Sequence, residues 1–123
     1  MSAIIKHRDV EGVAVLDIVG KITLGEGSSV VRDSIRDLNA KGHKKILLNL
    51  SEVSYIDSAG MGELISAYTS TTNRGGTIKL LGLTKRVKDL LQITKLYTVF
   101  DIHEEESHAI HSFLSATAQS SGT

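Results

Sequence analysis

The chain has 123 residues, enough for one domain and short for two, and its 41% hydrophobic and 23% charged content fits a folded globular protein rather than a disordered one. Lys and Arg number 14 and Asp and Glu number 14, so no net basic field draws the chain to a phosphate backbone and nucleic acid is not expected as a partner. The absence of cysteine removes disulfides, thiolate chemistry and the commoner structural zinc sites.

The opening residues Met1-Ser2-Ala3-Ile4-Ile5-Lys6-His7-Arg8-Asp9 turn polar too soon for a signal-peptide apolar region. No stretch approaches the roughly 20 apolar residues that span a bilayer. A soluble, cytoplasmic protein without a membrane partner is therefore expected. Ile4 to Arg8 and Val13 to Val19 read as two strands joined by Asp9-Val10-Glu11-Gly12, a polar connection ending in glycine that suggests a hairpin. Beyond them the period changes. Gly25-Glu26-Gly27-Ser28-Ser29 supplies turn residues and an N-cap, and Val31, Ile35 and Leu38 recur at helical spacing. Arg32, Arg36, Asp33 and Asp37 belong to the solvent side of that helix, which the pattern ends near Gly42.

Ile46 to Leu50 is a short apolar run between turn signals, the pattern of a strand covered on both faces. A helix follows, with Met61, Leu64, Ile65 and Tyr68 on one side, and fades at Asn73-Arg74-Gly75-Gly76. Thr77 to Leu81 reads as another strand. Thr84 caps a third helix with Val87, Leu90 and Leu91 facing inward, and Val99 to Ile102 reads as a final short strand. Glu104, Glu105 and Glu106 suit a first helical turn, where negative charge complements the helix dipole. Ile110, Phe113 and Leu114 then form an apolar stripe. Residues 118–123 are small and polar and are expected to be a disordered tail behind a single domain over 1–117. The order is β-β-α-β-α-β-α-β-α. It implies an α/β fold with a mixed, mostly parallel sheet of about five strands covered by about four helices.

The most informative segment is Val53-Ser54-Tyr55-Ile56-Asp57-Ser58-Ala59-Gly60-Met61-Gly62. An Asp or Ser before an apolar helical run is an N-cap signal, and taken alone Ser58 reads as a plain cap. Its place at the positive end of a helix, among small residues, also lets an added phosphate sit there at low cost. Gly60 and Gly62 are poor helix formers, which points either to close packing of the first turn or to a flat surface for a partner.

Placed directly after Ile46-Leu47-Leu48-Asn49-Leu50, this segment resembles the phosphorylation loop of STAS-domain anti-sigma factor antagonists, and the order of elements from about Ile4 to Phe113 fits as well. The resemblance implies a STAS-like single domain. It implies that Ser58 is the phosphoacceptor, with Asp57 as its acidic neighbour, and that the kinase is the cognate anti-sigma factor, using ATP and magnesium. A PP2C-type serine phosphatase would reset Ser58. The unphosphorylated form would bind the anti-sigma factor and free a sigma factor, a partner switch regulating transcription, as in a stress response. Ala59, Gly60, Met61 and Gly62 would form the approach surface, with Tyr55 and Glu63 at its edge. Gly20-Lys21-Ile22-Thr23-Leu24 lies where many members carry Gly-Arg-Leu-Asp, so Thr23 takes the place of an aspartate at that edge. The alternative within the same fold is a ligand or nucleotide sensor, or a scaffold subunit of a signalling assembly.

Catalysis and cofactor binding are not expected. Ser58 lacks the glycine two residues ahead that a nucleophile elbow needs. His103 and His108 are five apart rather than the four of a metalloprotease helix, and with His111 they read as surface histidines, so no metal is expected. Gly25-Glu26-Gly27-Ser28 is not followed by Gly-Lys-Ser/Thr and is no P-loop. Lys41, Lys44 and Lys45, and Lys85, Arg86 and Lys88, read as solvated helix ends.

Overall fold

The computed structural model describes residues 3–122, with side chains described as far as residue 114. Its elements are β1 (Ala3–Val10), β2 (Val13–Ile22), α1 (Glu26–Ala40), β3 (Lys45–Ile56), α2 (Ser58–Asn73), β4 (Thr77–Leu81), α3 (Lys85–Ile93), a 3-10 turn (Leu96–Thr98), β5 (Ile102–His103) and α4 (Glu106–Gly122). The expected α/β order is therefore present. The tail expected over 118–123 lies outside the residues whose side chains are described.

The strands lie in the order β1-β2-β3-β4-β5, with β1 antiparallel to β2 and every later pair parallel. The hairpin closes through Glu11 and Gly12, both at positive φ (49° and 83°), the two-residue geometry whose twist matches that of the strands. Parallel neighbours need crossovers, and crossovers are right-handed. Four parallel strands laid down in sequence order thus place α1, α2 and α3 on one face, where Val31, Ile35, Leu38, Leu64, Val87 and Leu91 pack on Leu16, Ile46, Leu48 and Leu80. The other face is covered by α4, whose Ala109, Ile110 and Phe113 pack on Val13, Val15, Leu47 and Leu81.

Two polar ties hold α4 on its face. Arg8 reaches Asp17 on β2 (Nε to Oδ2, 2.6 Å) and Glu106 at the start of α4 (Nη1 to Oε2, 3.0 Å). Lys79, buried on β4, donates to the Ser112 hydroxyl at 2.8 Å, pairs with Asp101 at 3.0 Å and lies over the Phe113 ring.

Several boundaries differ from the sequence reading. Strand β3 runs on past Leu50 to Ile56, because its register against β2 slips by one residue between the pairs Asp17–Asn49 and Val19–Glu52 and again between Gly20–Val53 and Lys21–Tyr55. Each slip inserts a residue, so Leu50, Val53 and Ile56 all face the same core at a spacing of three. The final strand is Ile102–His103 rather than Val99 to Ile102. Lys95 enters the left-handed region (φ 62°), and the amides of Val99 and Phe100 both donate to the Leu96 carbonyl, leaving Phe100 turned into the core edge-on to Tyr68. Glu104 and Glu105 precede α4, and only Glu106 stands in its first turn. Helix α1 is capped by Gly25 (φ 97°), within the segment expected to supply its N-cap, with no side-chain bond.

Candidate functional site

Strand β3 ends at Ile56 and α2 begins at Ser58, with Asp57 between them in extended conformation (φ −92°, ψ −174°). Asp57 is the N-cap. Its Oδ1 accepts from the Gly60 amide at 2.9 Å and its carbonyl accepts from the Met61 amide at 2.8 Å. Ser58 is consequently the first helical residue rather than the cap, exposed to solvent, and among the described residues its hydroxyl makes no hydrogen bond. The cap is supplied by Asp57, and the Ser58 hydroxyl stays available.

The second carboxylate oxygen of Asp57 accepts from the Leu24 amide at 2.9 Å, and the Asp57 amide donates to the Ile22 carbonyl at 3.3 Å. One side chain thus ties the β2–α1 connection to the start of α2. The bonds from the Leu24 and Gly60 amides favour the charged form and hold the Asp57 carboxyl below its ordinary pKa. A fixed negative charge therefore stands beside Ser58 at neutral pH.

Gly60 is where α2 crosses the end of β2. A Cβ there would lie 2.1 Å from the Ile22 carbonyl oxygen and 2.8 Å from Ile56 Cγ2, so only glycine permits this approach. At Gly62 a Cβ would meet nothing within 4 Å. The two glycines have different jobs: Gly60 packs, and Gly62 leaves an open surface. Ala59 is half-buried, and Met61, 7% exposed, belongs to the core.

The edge residues are dispersed around this turn. Thr23 is half-buried, its carbonyl accepting from the Ser28 amide at 2.9 Å. Tyr55, half-buried on β3, lies under the Arg86 guanidinium, 4.9 Å from the ring centre. Glu63 faces α1 and pairs with Arg32 at 3.6 Å. Leu24 was not singled out by the sequence reading, yet its side chain is 80% exposed while its amide is held by Asp57. The signal was present as an apolar residue inside a turn-forming segment, where burial cannot account for it.

Elsewhere, His103 bonds Asp101 at 3.0 Å and His108 lies 3.9 Å from Glu105. Among the described residues no group of three or more His, Cys, Asp or Glu side chains converges as metal ligands, and no helix is long and apolar enough to cross a membrane.

The sheet order, the helix-terminal serine and its aspartate cap define a STAS-type domain. The STAS domain family model matches residues 5–109, and the chain belongs to that family. The anti-sigma-B factor antagonist of Bacillus subtilis is 31% identical over 87 residues, 71% of this chain and 78% of that protein. A Thermotoga neapolitana relative is 37% identical over 70 residues, a stretch covering 57% of this chain and 62% of that protein, under two thirds of its length. The anti-sigma factor antagonist SpoIIAA in its unphosphorylated form superposes with a TM-score of 0.73 at 20% identity, over 87% of this chain and 93% of that one, and shares the fold.

Proposed function

We propose that this chain is an anti-sigma factor antagonist. Its unphosphorylated form binds an anti-sigma factor that is also a serine kinase, and so frees a sigma factor. Phosphorylation of Ser58 switches it off, and a PP2C-type serine phosphatase restores it. The chain needs no cofactor and performs no catalysis of its own; ATP and magnesium belong to the kinase. The observation that carries this reading is the exposed Ser58 hydroxyl in the first turn of α2, released from capping by Asp57. The similarity to the anti-sigma-B factor antagonist supports the choice of partner.

The physics favours a switch at an interface over a change of shape. Phosphate adds about −1.5 to −2 charges at neutral pH. Within the isolated domain, that charge sits in solvent at the positive end of α2, where the helix dipole favours it. Against a packed partner it must be desolvated beside the Asp57 carboxylate, and like-charge juxtaposition in an interface costs several kcal/mol. A penalty of about 3 kcal/mol weakens binding about a hundredfold. We assign the contact surface to Thr23, Leu24, Tyr55, Ala59, Gly62 and Glu63 together with Ser58, with the buried Gly60 and Met61 supporting the first turn of α2.

Calorimetric titration of this chain into the serine-kinase anti-sigma factors encoded by its own genome tests the reading. Wild type and Ser58→Ala bind one of them, and Ser58→Asp binds about a hundredfold more weakly. Equal affinity of Ser58→Asp and wild type would contradict it.

A further inference from the structure

Helices α1 and α2 run side by side on the sheet and leave between them a groove of about 420 Å³, within the range of small-molecule sites. Ile35 and Ala67, only 3% and 4% exposed, lie at its floor, and Arg32, Arg36 and Arg74 stand around it. The only carboxylate among the lining residues is Glu63, already committed to Arg32 at 3.6 Å. Arg36 and Arg74 have no carboxylate partner among the described residues; the Arg74 guanidinium donates to the Asn39 carbonyl, at 3.4 Å. In a chain whose net charge is zero, this is a local concentration of guanidinium groups. Guanidinium forks match the oxygens of a phosphate two at a time. Ser66 and Ser70 add neutral hydroxyls on the α2 wall. The groove is too large for a phosphate ion to fill alone, and its apolar surface suits an organic body.

We propose that the α1–α2 groove binds a small soluble phosphorylated organic molecule, its phosphate held by Arg36 and Arg74 and its organic body lying between the two helices above the floor formed by Ile35 and Ala67. The groove does not include Ser58, shares only Glu63 with the proposed contact surface, and does not rest on the partner switch. It makes the domain a receptor for a metabolite as well as for a protein.

Phenyl phosphate is the probe, followed by backbone amide shifts in the intact chain. Saturable shifts confined to residues 32–39 and 63–74 are expected, with phenol giving none and inorganic phosphate binding at least about tenfold more weakly, as loss of the apolar contact requires. Arg36→Gln and Arg74→Gln each weaken phenyl phosphate by about tenfold, the worth of one charge-assisted hydrogen bond, and Lys88→Gln does not. The absence of saturable shifts in the groove overturns the proposal. So does unchanged affinity in the Arg36→Gln/Arg74→Gln double variant with a native-like spectrum. Binding to phosphatidic acid vesicles without any response to phenyl phosphate overturns it too.

Discussion

The carboxylate of Asp57 accepts the backbone amide of Leu24 across a gap of 33 residues in sequence, at 2.9 Å, while its other oxygen caps α2 through Gly60. The loop that presents Leu24 and the helix that presents Ser58 are therefore held in register by one side chain. Replacing Asp57 by alanine removes the cap and the loop tie together. The cap alone is worth about 1 kcal/mol, and a loss of that size lowers the melting temperature of a domain this long by roughly 4 °C. Amide exchange at Leu24 and Gly60 should accelerate with it. A melting curve and exchange rates identical to wild type would show that the two bonds contribute nothing.

Substitution of the two glycines by alanine should act in opposite directions. At Gly60 the new methyl would sit 2.1 Å from the Ile22 carbonyl, so α2 must shift off β2; overpacking of this kind costs about 1–3 kcal/mol. At Gly62 the methyl meets open space and relieves a helix-propensity cost of up to about 1 kcal/mol. Chemical denaturation of the two variants measures both signs.

Leu24 offers a way to separate folding from binding. With its side chain 80% exposed, Leu24→Ala should leave stability within about 0.5 kcal/mol of wild type. If Leu24 is a central apolar anchor of the interface, its truncation costs about 1 kcal/mol or more, and affinity for the anti-sigma partner should fall by roughly tenfold. Unchanged affinity would place the contact surface elsewhere.

The tie between β1, β2 and α4 should appear in the acid limb of stability. The hydrogen bond from Arg8 is the largest cause holding both Asp17 and Glu106 below their ordinary carboxylate pKa. A carboxylate with a depressed folded pKa contributes stability above its unfolded value, near about 4, and loses it as pH falls through the lowered value. Wild type should therefore lose stability steadily as pH drops below about 4. Arg8→Met should be weaker by about 1 kcal/mol at neutral pH, the upper end for a partly exposed network, and should show a flatter acid limb. Parallel acid limbs in the two proteins would contradict the assignment.

Much of this fold is legible in the chain because period and punctuation agree along it. The hairpin is marked by Glu11-Gly12, β4 by Thr77 to Leu81, and α3 by the Thr84 cap, whose hydroxyl indeed accepts from the Val87 amide at 3.3 Å. The far half of β3 is hidden because the two register slips replace a spacing of two with a spacing of three, which periodicity cannot distinguish from a loop. The short β5 is displaced because Phe100, apolar enough for a strand, spends its amide in a 3-10 turn and its ring in the core. At the site, the motif located Asp57 and Ser58, but which of them caps α2 depended on backbone angles. The exposure of Leu24 and the groove between α1 and α2 arise only when segments far apart in sequence are brought together.

The central claim rests on the Ser58 hydroxyl. It is tested most directly by intact-mass and phosphosite analysis of the chain after incubation with magnesium-ATP and each serine-kinase anti-sigma factor from its own genome, with Ser58→Ala as control. The account predicts stoichiometric addition of one phosphate at Ser58 by one of these kinases, release of that kinase from the phosphorylated chain, and no addition to Ser58→Ala. A chain left unmodified by every one of them, or modified at another residue, would contradict it and leave Ser58 as the first residue of a helix and nothing more.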